Sequence, residues 1–488
     1  MFAKIKQFLF KNKSVRQTVA KNTFWLTFGE LVGRILRVGV VIYAARILKA
    51  DGFGVFSYAM GLAALFTIFS DIGLSGVLTR EGAKNPEERE KYFSTSFVLK
   101  IILLIISFLI VMLGAPHFTK IPLSTDLLLF VTLLLLFDSL RGFGVSLFRA
   151  TEKMEIEAFS NILTQGIILI AGILILKFSP SPEHLAFSYA LGSAAGLLFV
   201  LIYLWPFFKK FWRNFDKNLV KPILKTAWPL GIGGLLGAVM VNTDTILIGW
   251  FQKAADVGYY SAAQKPIMLL YVLPFSLIAG AFFPVLAKFA NKDNERFRNI
   301  LEKGMTIIFL LSLPMAIGMI LVSDQVIHLL FGAEYFNLPT ILVLQILGLT
   351  LVTNAFSIFL VNALFAYDRQ KELIYYWTIG AIGNAVFDLI LIPFWGIAGC
   401  ALATFITQII SGSVLWYKMK QVNSFHIFPH LKKNILATLI MAIFMILFRW
   451  FHWSIFAIIP SAVIIYLAAL FLLKEETIFQ LKTLSNEK

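Results

Sequence analysis

The sequence contains a single cysteine, Cys400, among 488 residues, so no disulfide can close within the chain and no set of thiolates can hold a metal. Charge is also scarce, at 14% of residues against roughly 25% in soluble domains. No G-x-x-x-x-G-K-[ST] run occurs, which excludes a phosphate-cradling nucleotide loop, and Gly231-Ile232-Gly233-Gly234 lacks the spacing of a dinucleotide loop. His426 and His430 stand four apart, but Pro429 interrupts any helix between them, and no metal site is expected there. Asp51-Gly52-Phe53-Gly54 reads as a turn rather than a kinase motif. Residues 1–21 are basic, with only Phe8 to Phe10 as an apolar core and no small-residue cleavage site, so no secretory signal is expected. Neither a cofactor nor catalytic machinery is anticipated.

Apolar surface is what the chain has in abundance. Hydrophobic residues make up 59% of it, and the mean hydropathy is +0.81. Apolar runs of the length needed to cross a bilayer as a helix, about 20 residues, recur from end to end. Fourteen spans are read, near 22–46, 53–76, 93–115, 123–147, 157–177, 184–206, 223–251, 257–286, 303–323, 338–366, 373–393, 396–417, 433–451 and 453–473. The fold class is therefore an all-α polytopic membrane protein. Residues 324–337 are left open as a short outside helix or a re-entrant turn.

The net charge of +16 could mark a nucleic-acid partner, but its distribution argues otherwise. With the N-terminus inside, cytoplasmic segments hold 32 of the 43 Lys and Arg and outside segments hold 6. Five lie within spans: Arg34, Arg37, Lys100, Arg141 and Lys265. Such a bias is topological and places both termini in the cytoplasm. No nucleic acid is expected. The chain divides into a basic segment 1–21, an N-lobe of six spans over 22–206, a cytoplasmic interfacial linker 207–225, a C-lobe of six spans over 226–417, a second linker 418–432, two further spans within 433–473, and a cytoplasmic tail 474–488. The basic, aromatic linker 207–225 reads as an amphipathic helix on the cytoplasmic surface.

An approximate internal repeat supports the two lobes. Shifted by 204 residues, Leu26, Gly29, Leu31, Gly33, Ile42, Lys49, Ala50, Gly54, Ser57 and Ala59 fall on identical residues from Leu230 to Ala263. Gly29/Gly33 and Gly233/Gly237 are GxxxG pairs, which permit close helix approach in lipid. Six spans separate the copies, so both run in the same direction. The expectation is two parallel six-helix lobes around a central cavity, with two extra C-terminal helices.

Ionisable residues in the bilayer are costly and face a cavity or a partner. Glu30, Arg34 and Arg37 follow an i, i+4, i+7 pattern that puts them on one helix face. Glu30 and Arg34 can pair, leaving Arg37 cationic. Arg37 then either locks the lobe through Asp71 or Asp138 or faces the substrate. Asp138 and Arg141 can pair locally, and Asp244 with Lys265. Asp388 has no evident partner, and Lys100 is expected to snorkel to the cytoplasm. Taken together, the first lobe is net cationic and the second offers Asp244 and Lys265, and a cation-lined cavity would suit an anion such as a pyrophosphate. Glu30, Asp71, Asp138, Asp244 and Asp388 are candidates for ion coupling or ion pairing.

Several stretches in order resemble one family. They are ARILKADGFGVFSYA (45–59), SDIGLSGVLTREGAK (70–84), NTDTILIGWFQKAADVGYYSAAQKPIMLL (242–270), Phe283-Pro284, and NAVFDLILIPFWGIAGCALAT (384–404). The family is the polysaccharide transporter, O-antigen flippase-like, branch of the multidrug/oligosaccharidyl-lipid/polysaccharide exporter superfamily. One departure is Leu48-Lys49, where the family often has Leu-Gly. The resemblance implies export of polyprenyl-diphosphate-linked oligosaccharide across the cytoplasmic membrane by alternating access, for surface polysaccharide such as O-antigen or lipopolysaccharide. The lipid bilayer and polysaccharide polymerase or assembly proteins are the implied partners. It also implies that the cavity cations Arg34, Arg37, Arg141 and Lys265 hold the anionic headgroup. A cation-coupled multidrug antiporter and a lipid II flippase are the alternatives. A membrane glycan polymerase is disfavoured because the longest outside segment is about 14 residues.

Overall fold

A computed structural model describes residues 10, 12, 14–271 and 282–475. Among them ten helices are long and apolar enough to cross a membrane, and no strand is present. The chain forms two compact units, residues 1–258 and 259–488.

The first unit opens with α1, Val15–Thr67, a 53-residue run broken at Lys49 (φ 61°, ψ 179°). An unbroken helix of that length would be about 80 Å long, far beyond the roughly 30 Å hydrocarbon layer. Two spans were read here, and the break falls between them. The second arm stops earlier than expected. Ile72 and Gly73 take positive φ, and α2, Leu74–Lys84, follows where a loop was expected. Then come α3 (Arg89–Leu109), α4 (Thr125–Ala150), α5 (Met154–Phe178), α6 (Pro182–Phe208) and α7 (Val220–Phe251). Their starts are written in the sequence. Ser124 Oγ accepts from the Leu127 amide, and Ser181 Oγ accepts from the His184 amide ahead of Pro182. The linker 207–225 is not one amphipathic helix. It breaks into a turn at Phe211–Asn214 and a 3-10 turn at Lys217–Leu219, capped by Asp216, before α7 begins. An aromatic cluster of Phe93, Phe97, Phe143, Phe207 and Phe208 packs the end of this unit.

Helix α8, Ala254–Leu270, begins in the first unit after a break at Gln252. The break lies beside Lys253, the repeat partner of Lys49, so both copies of the duplicated stretch interrupt their helix at nearly the same place. Their glycines then meet. A Cβ on Gly54 would lie 1.8 Å from the carbonyl oxygen of Ala254, and one on Gly258 would lie 2.0 Å from that of Ala50. The four residues are repeat partners, and the contact is reciprocal. The GxxxG pairs fare unequally. Gly29 packs on Ala158 and Gly33 on Asn161, as expected, whereas no described atom lies within 4 Å of a Cβ built on Gly237.

The second unit continues with α9 (Phe283–Phe289), α10 (Asn294–Leu321), α11 (Ser323–Phe331), α12 (Leu338–Ala366), α13 (Gln370–Val422), α14 (Phe428–Trp450) and α15 (Ile455–Leu472). Part of the span read at 257–286 lies outside the described residues. The open segment 324–337 holds most of α11 and a 3-10 turn, Ala333–Tyr335. The 53-residue α13 breaks at Gly396 (φ 55°), just after Pro393, between the two spans expected there. Arg449 at the end of α14 forks onto Asp324 of α11 at 2.8 and 2.7 Å.

Candidate functional site

Helices α1 and α5 meet along a narrow seam. On α1 it runs through Gly29, Gly33, Arg37 and Val40. On α5 it runs through Ala158, Asn161, Gln165 and Gly172. The steps are three or four residues on α1 and three, four and seven on α5, one face of each. The glycines let the backbones close, and Asn161 Nδ2 donates to the Gly29 carbonyl at 3.0 Å. Farther along the seam, Arg37 Nε donates to Gln165 Oε1 at 3.4 Å, and Gln165 is only 4% exposed.

Two other candidate cations of this unit, Arg34 and Arg141, are paired. Arg34 Nε contacts Glu30 Oε1 at 2.5 Å, one turn apart on α1. Arg141 Nη2 and Nε donate to Asp138 Oδ1 at 2.6 and 3.1 Å. The Arg141 stem also flanks the seam region, since a Cβ on Gly196 would lie 2.9 Å from Arg141 Cδ and 1.9 Å from Thr164 Oγ1. Thr164 adjoins Gln165, so Gly196 of α6 lies beside both the Arg141 stem and the residue next to the partner of Arg37.

Lys100 does not snorkel. It is 1% exposed, and its Nζ donates to Asp71 Oδ1 at 2.7 Å. Asp71 also takes Ser75 Oγ at 2.6 Å. On α3 the buried positions 96, 100, 104 and 107 form one stripe, while Ile102, Ile105, Ile106 and Leu109 form the exposed, apolar one. The polar residues of this helix turn into the protein and the apolar ones toward lipid. A buried pair satisfies the ammonium at less cost than stretching it to the interface.

Asp71 and Asp138 are thus engaged by Lys100 and Arg141, and neither is the partner of Arg37. Among the described residues of this unit, Arg37 is the intramembrane cation whose partner is a neutral amide rather than a carboxylate. Asp244, on α7 of the same unit, is 3% exposed. In the second unit Lys265 on α8 is half-buried. Asp388 on α13 is fully buried and accepts from Asn384 Nδ2 at 3.0 Å, one turn back on its own helix. Gln165, Asn384 and the Lys100–Asp71 pair were not anticipated from sequence. The i, i+4 spacing of Asn384 and Asp388 was a readable signal, as was the polar stripe Ser96, Lys100, Ser107.

These features define a polytopic helical membrane protein with charged groups held inside its bundle. Its fold is that of a solved lipid II flippase MurJ in an inward closed conformation, with a TM-score of 0.75 at 20% identity over 92% of this chain and 98% of that one. The profile of the family described as polysaccharide biosynthesis protein matches residues 19–290, and the chain belongs to that family. A second profile, MatE, matches residues 229–390. Among relatives, a probable low-salt glycan biosynthesis flippase, Agl15, of Haloferax volcanii is 22% identical over 79% of this chain and 80% of its own length. A putative O-antigen transporter of Shigella flexneri is 24% identical over 82% of this chain and 97% of its own.

Proposed function

We propose that the chain is a flippase that moves a polyprenyl-diphosphate-linked oligosaccharide across the cytoplasmic membrane by alternating access, for surface polysaccharide synthesis. The observation that carries this reading is Arg37, an intramembrane guanidinium left without a carboxylate in the first unit. An unneutralised cation at this depth costs roughly 2.5–3.5 kcal/mol on insertion scales, and a diphosphate entering beside it would offset that cost. Arg34 and Arg141 are held in local pairs that a stronger anion can recruit, and Lys265 is the corresponding cation of the second unit. Glu30, Asp71, Asp138, Asp244 and Asp388 serve as pair partners or coupling carboxylates. Both termini are cytoplasmic in this reading, which the 32-to-6 distribution of Lys and Arg supports. Transport is the activity of the relatives by name, and no bond-making chemistry is assigned.

The test is complementation of a host that lacks its own lipid-linked glycan flippase. Arg37→Ala should lower surface polysaccharide at least ten-fold at unchanged protein level, and Arg37→Lys should restore part of it. Full activity of the alanine variant would remove the cavity role. The MatE match, which includes the buried Asp388, favours a second reading as a cation-coupled drug exporter. Drug resistance without polysaccharide rescue in the same host would select it.

A further inference from the structure

The second unit carries a cavity of about 370 Å³, lined by Asn291, Lys292, Asn294, Tyr367, Arg369, Gln421 and Val422. It lies where the α9–α10 turn, the α12–α13 turn and the end of α13 come together. The charge bias assigns these segments to the cytoplasm. They are also rich in Lys and Arg, with five cations in 287–303, two in 367–372 and four in 418–433.

The lining has one chemical character. It offers an ammonium, a guanidinium, three side-chain amides and a phenol, and no carboxylate. Two nearby carboxylates are engaged, and one of them by the cavity's own guanidinium. Asp293 caps α10 through the Arg296 amide at 2.9 Å, and Glu372 Oε1 takes Arg369 Nη1 at 2.7 Å. That contact uses one of the five N–H donors of the guanidinium. Lys292 and Arg369 each follow a residue with φ of 59°, Asn291 and Asp368, so each cation stands at the exit of a tight turn.

The floor is fixed by buried groups. Tyr367 and Asn423 are each 7% exposed. Asn423 Nδ2 donates to the Asn294 carbonyl at 2.9 Å and to the Tyr367 hydroxyl at 3.1 Å, and that hydroxyl donates to Asn294 Oδ1 at 3.1 Å. The Tyr367 ring packs at a tilt against buried Phe297, with centroids 4.5 Å apart. With its oxygen engaged, Asn294 presents its NH2 half as the available one. The cavity is thus a set of donors held in place by a second layer.

We infer that this cavity binds a phosphate-bearing anion from the cytoplasmic side, at a site separate from the Arg37 seam. Arg369 and Lys292 supply charge, and the amides supply neutral donors that match phosphate oxygens. The anion can belong to the headgroup of an anionic phospholipid or to a soluble phosphate compound, and both present the same oxygens.

The experiment uses the full chain with two probes. Inorganic phosphate is titrated against the protein in uncharged detergent, and phosphatidylglycerol retention is read by native mass spectrometry against phosphatidylcholine. In the Lys292→Gln/Arg369→Gln double variant, binding of at least one probe should weaken ten-fold or more, and Lys292→Arg/Arg369→Lys should keep it. A loss confined to phosphatidylglycerol assigns the lipid source, and one confined to phosphate assigns the soluble source. Equal binding of both probes by wild type and double variant, or binding of neither by wild type, overturns the inference. Both residues are exposed, so melting of the double variant in detergent should match wild type.

Discussion

At the scale of single residues, burial of charge decides the behaviour of the first unit. Lys100 and Asp71 form a pair whose ammonium end is sealed from solvent while the carboxylate keeps 28% exposure. Lys100→Met leaves Asp71 without its counter-charge. The expected loss is near the lower end of the roughly 3–5 kcal/mol typical of a broken buried pair, because Asp71 remains partly solvated. The double change Lys100→Met/Asp71→Leu should recover most of it. Melting midpoints in detergent check both, and equal midpoints for the single and double variants would contradict the pairing. The sequence made the cost of these charges legible but not their partners. Lys100 was judged by its depth along the helix, whereas the face it occupies, shared with Ser96 and Ser107, determines its fate. For Arg37 the i, i+4, i+7 pattern was informative, and its freedom from Glu30 followed from helix geometry. That Gln165 would meet it depended on how α5 packs, which no local pattern records.

At the scale of helices, breaks carry as much information as spans. Lys49 sits at φ 61° and ψ 179°, a region that essentially only glycine occupies without strain, at a position where the family often has glycine. Its side chain is exposed. Lys49→Gly should raise stability by about 1 kcal/mol, measured as a higher melting midpoint, while transport is retained. A lower midpoint would mean that the lysine side chain contributes more than the backbone strain costs. Span positions were mostly legible because apolar length is a one-dimensional property. The span read at 338–366 coincides with α12, Leu338–Ala366. The linker 207–225 was misread because its basic and aromatic composition suits an interfacial helix, yet Asp216 caps a separate 3-10 turn and divides it. The extension of helix into 74–84 was missed because a charged segment after a span looks like a loop, although Leu74, Val77 and Leu78 form a buried stripe within it.

For the whole molecule, the family and the fold were accessible from ordered motifs and the repeat; the family profile over residues 19–290 agrees with the first and the solved flippase's fold with the second. Topology is directly measurable because Cys400 is fully buried and gives little background to thiol reagents. A cysteine placed at exposed Ser14 should label only from the cytoplasmic side, and one at exposed Lys120 only from the outside. Labelling of both from one side would invert or break the assigned order of spans. The reciprocal contact of Gly54 with Ala254 and Gly258 with Ala50 has a consequence for descent. After a gene segment duplicates, its copies are free to diverge, and here one copy has acquired Glu30, Arg34 and Arg37 while the other carries Gly234, Ala238 and Val241. At the crossing that freedom ends. Each copy's side-chain-free position faces the other's carbonyl, so a substitution in either meets main chain that no side-chain change elsewhere can move aside. The two halves can drift apart in what they carry and still inherit this one place as a single unit.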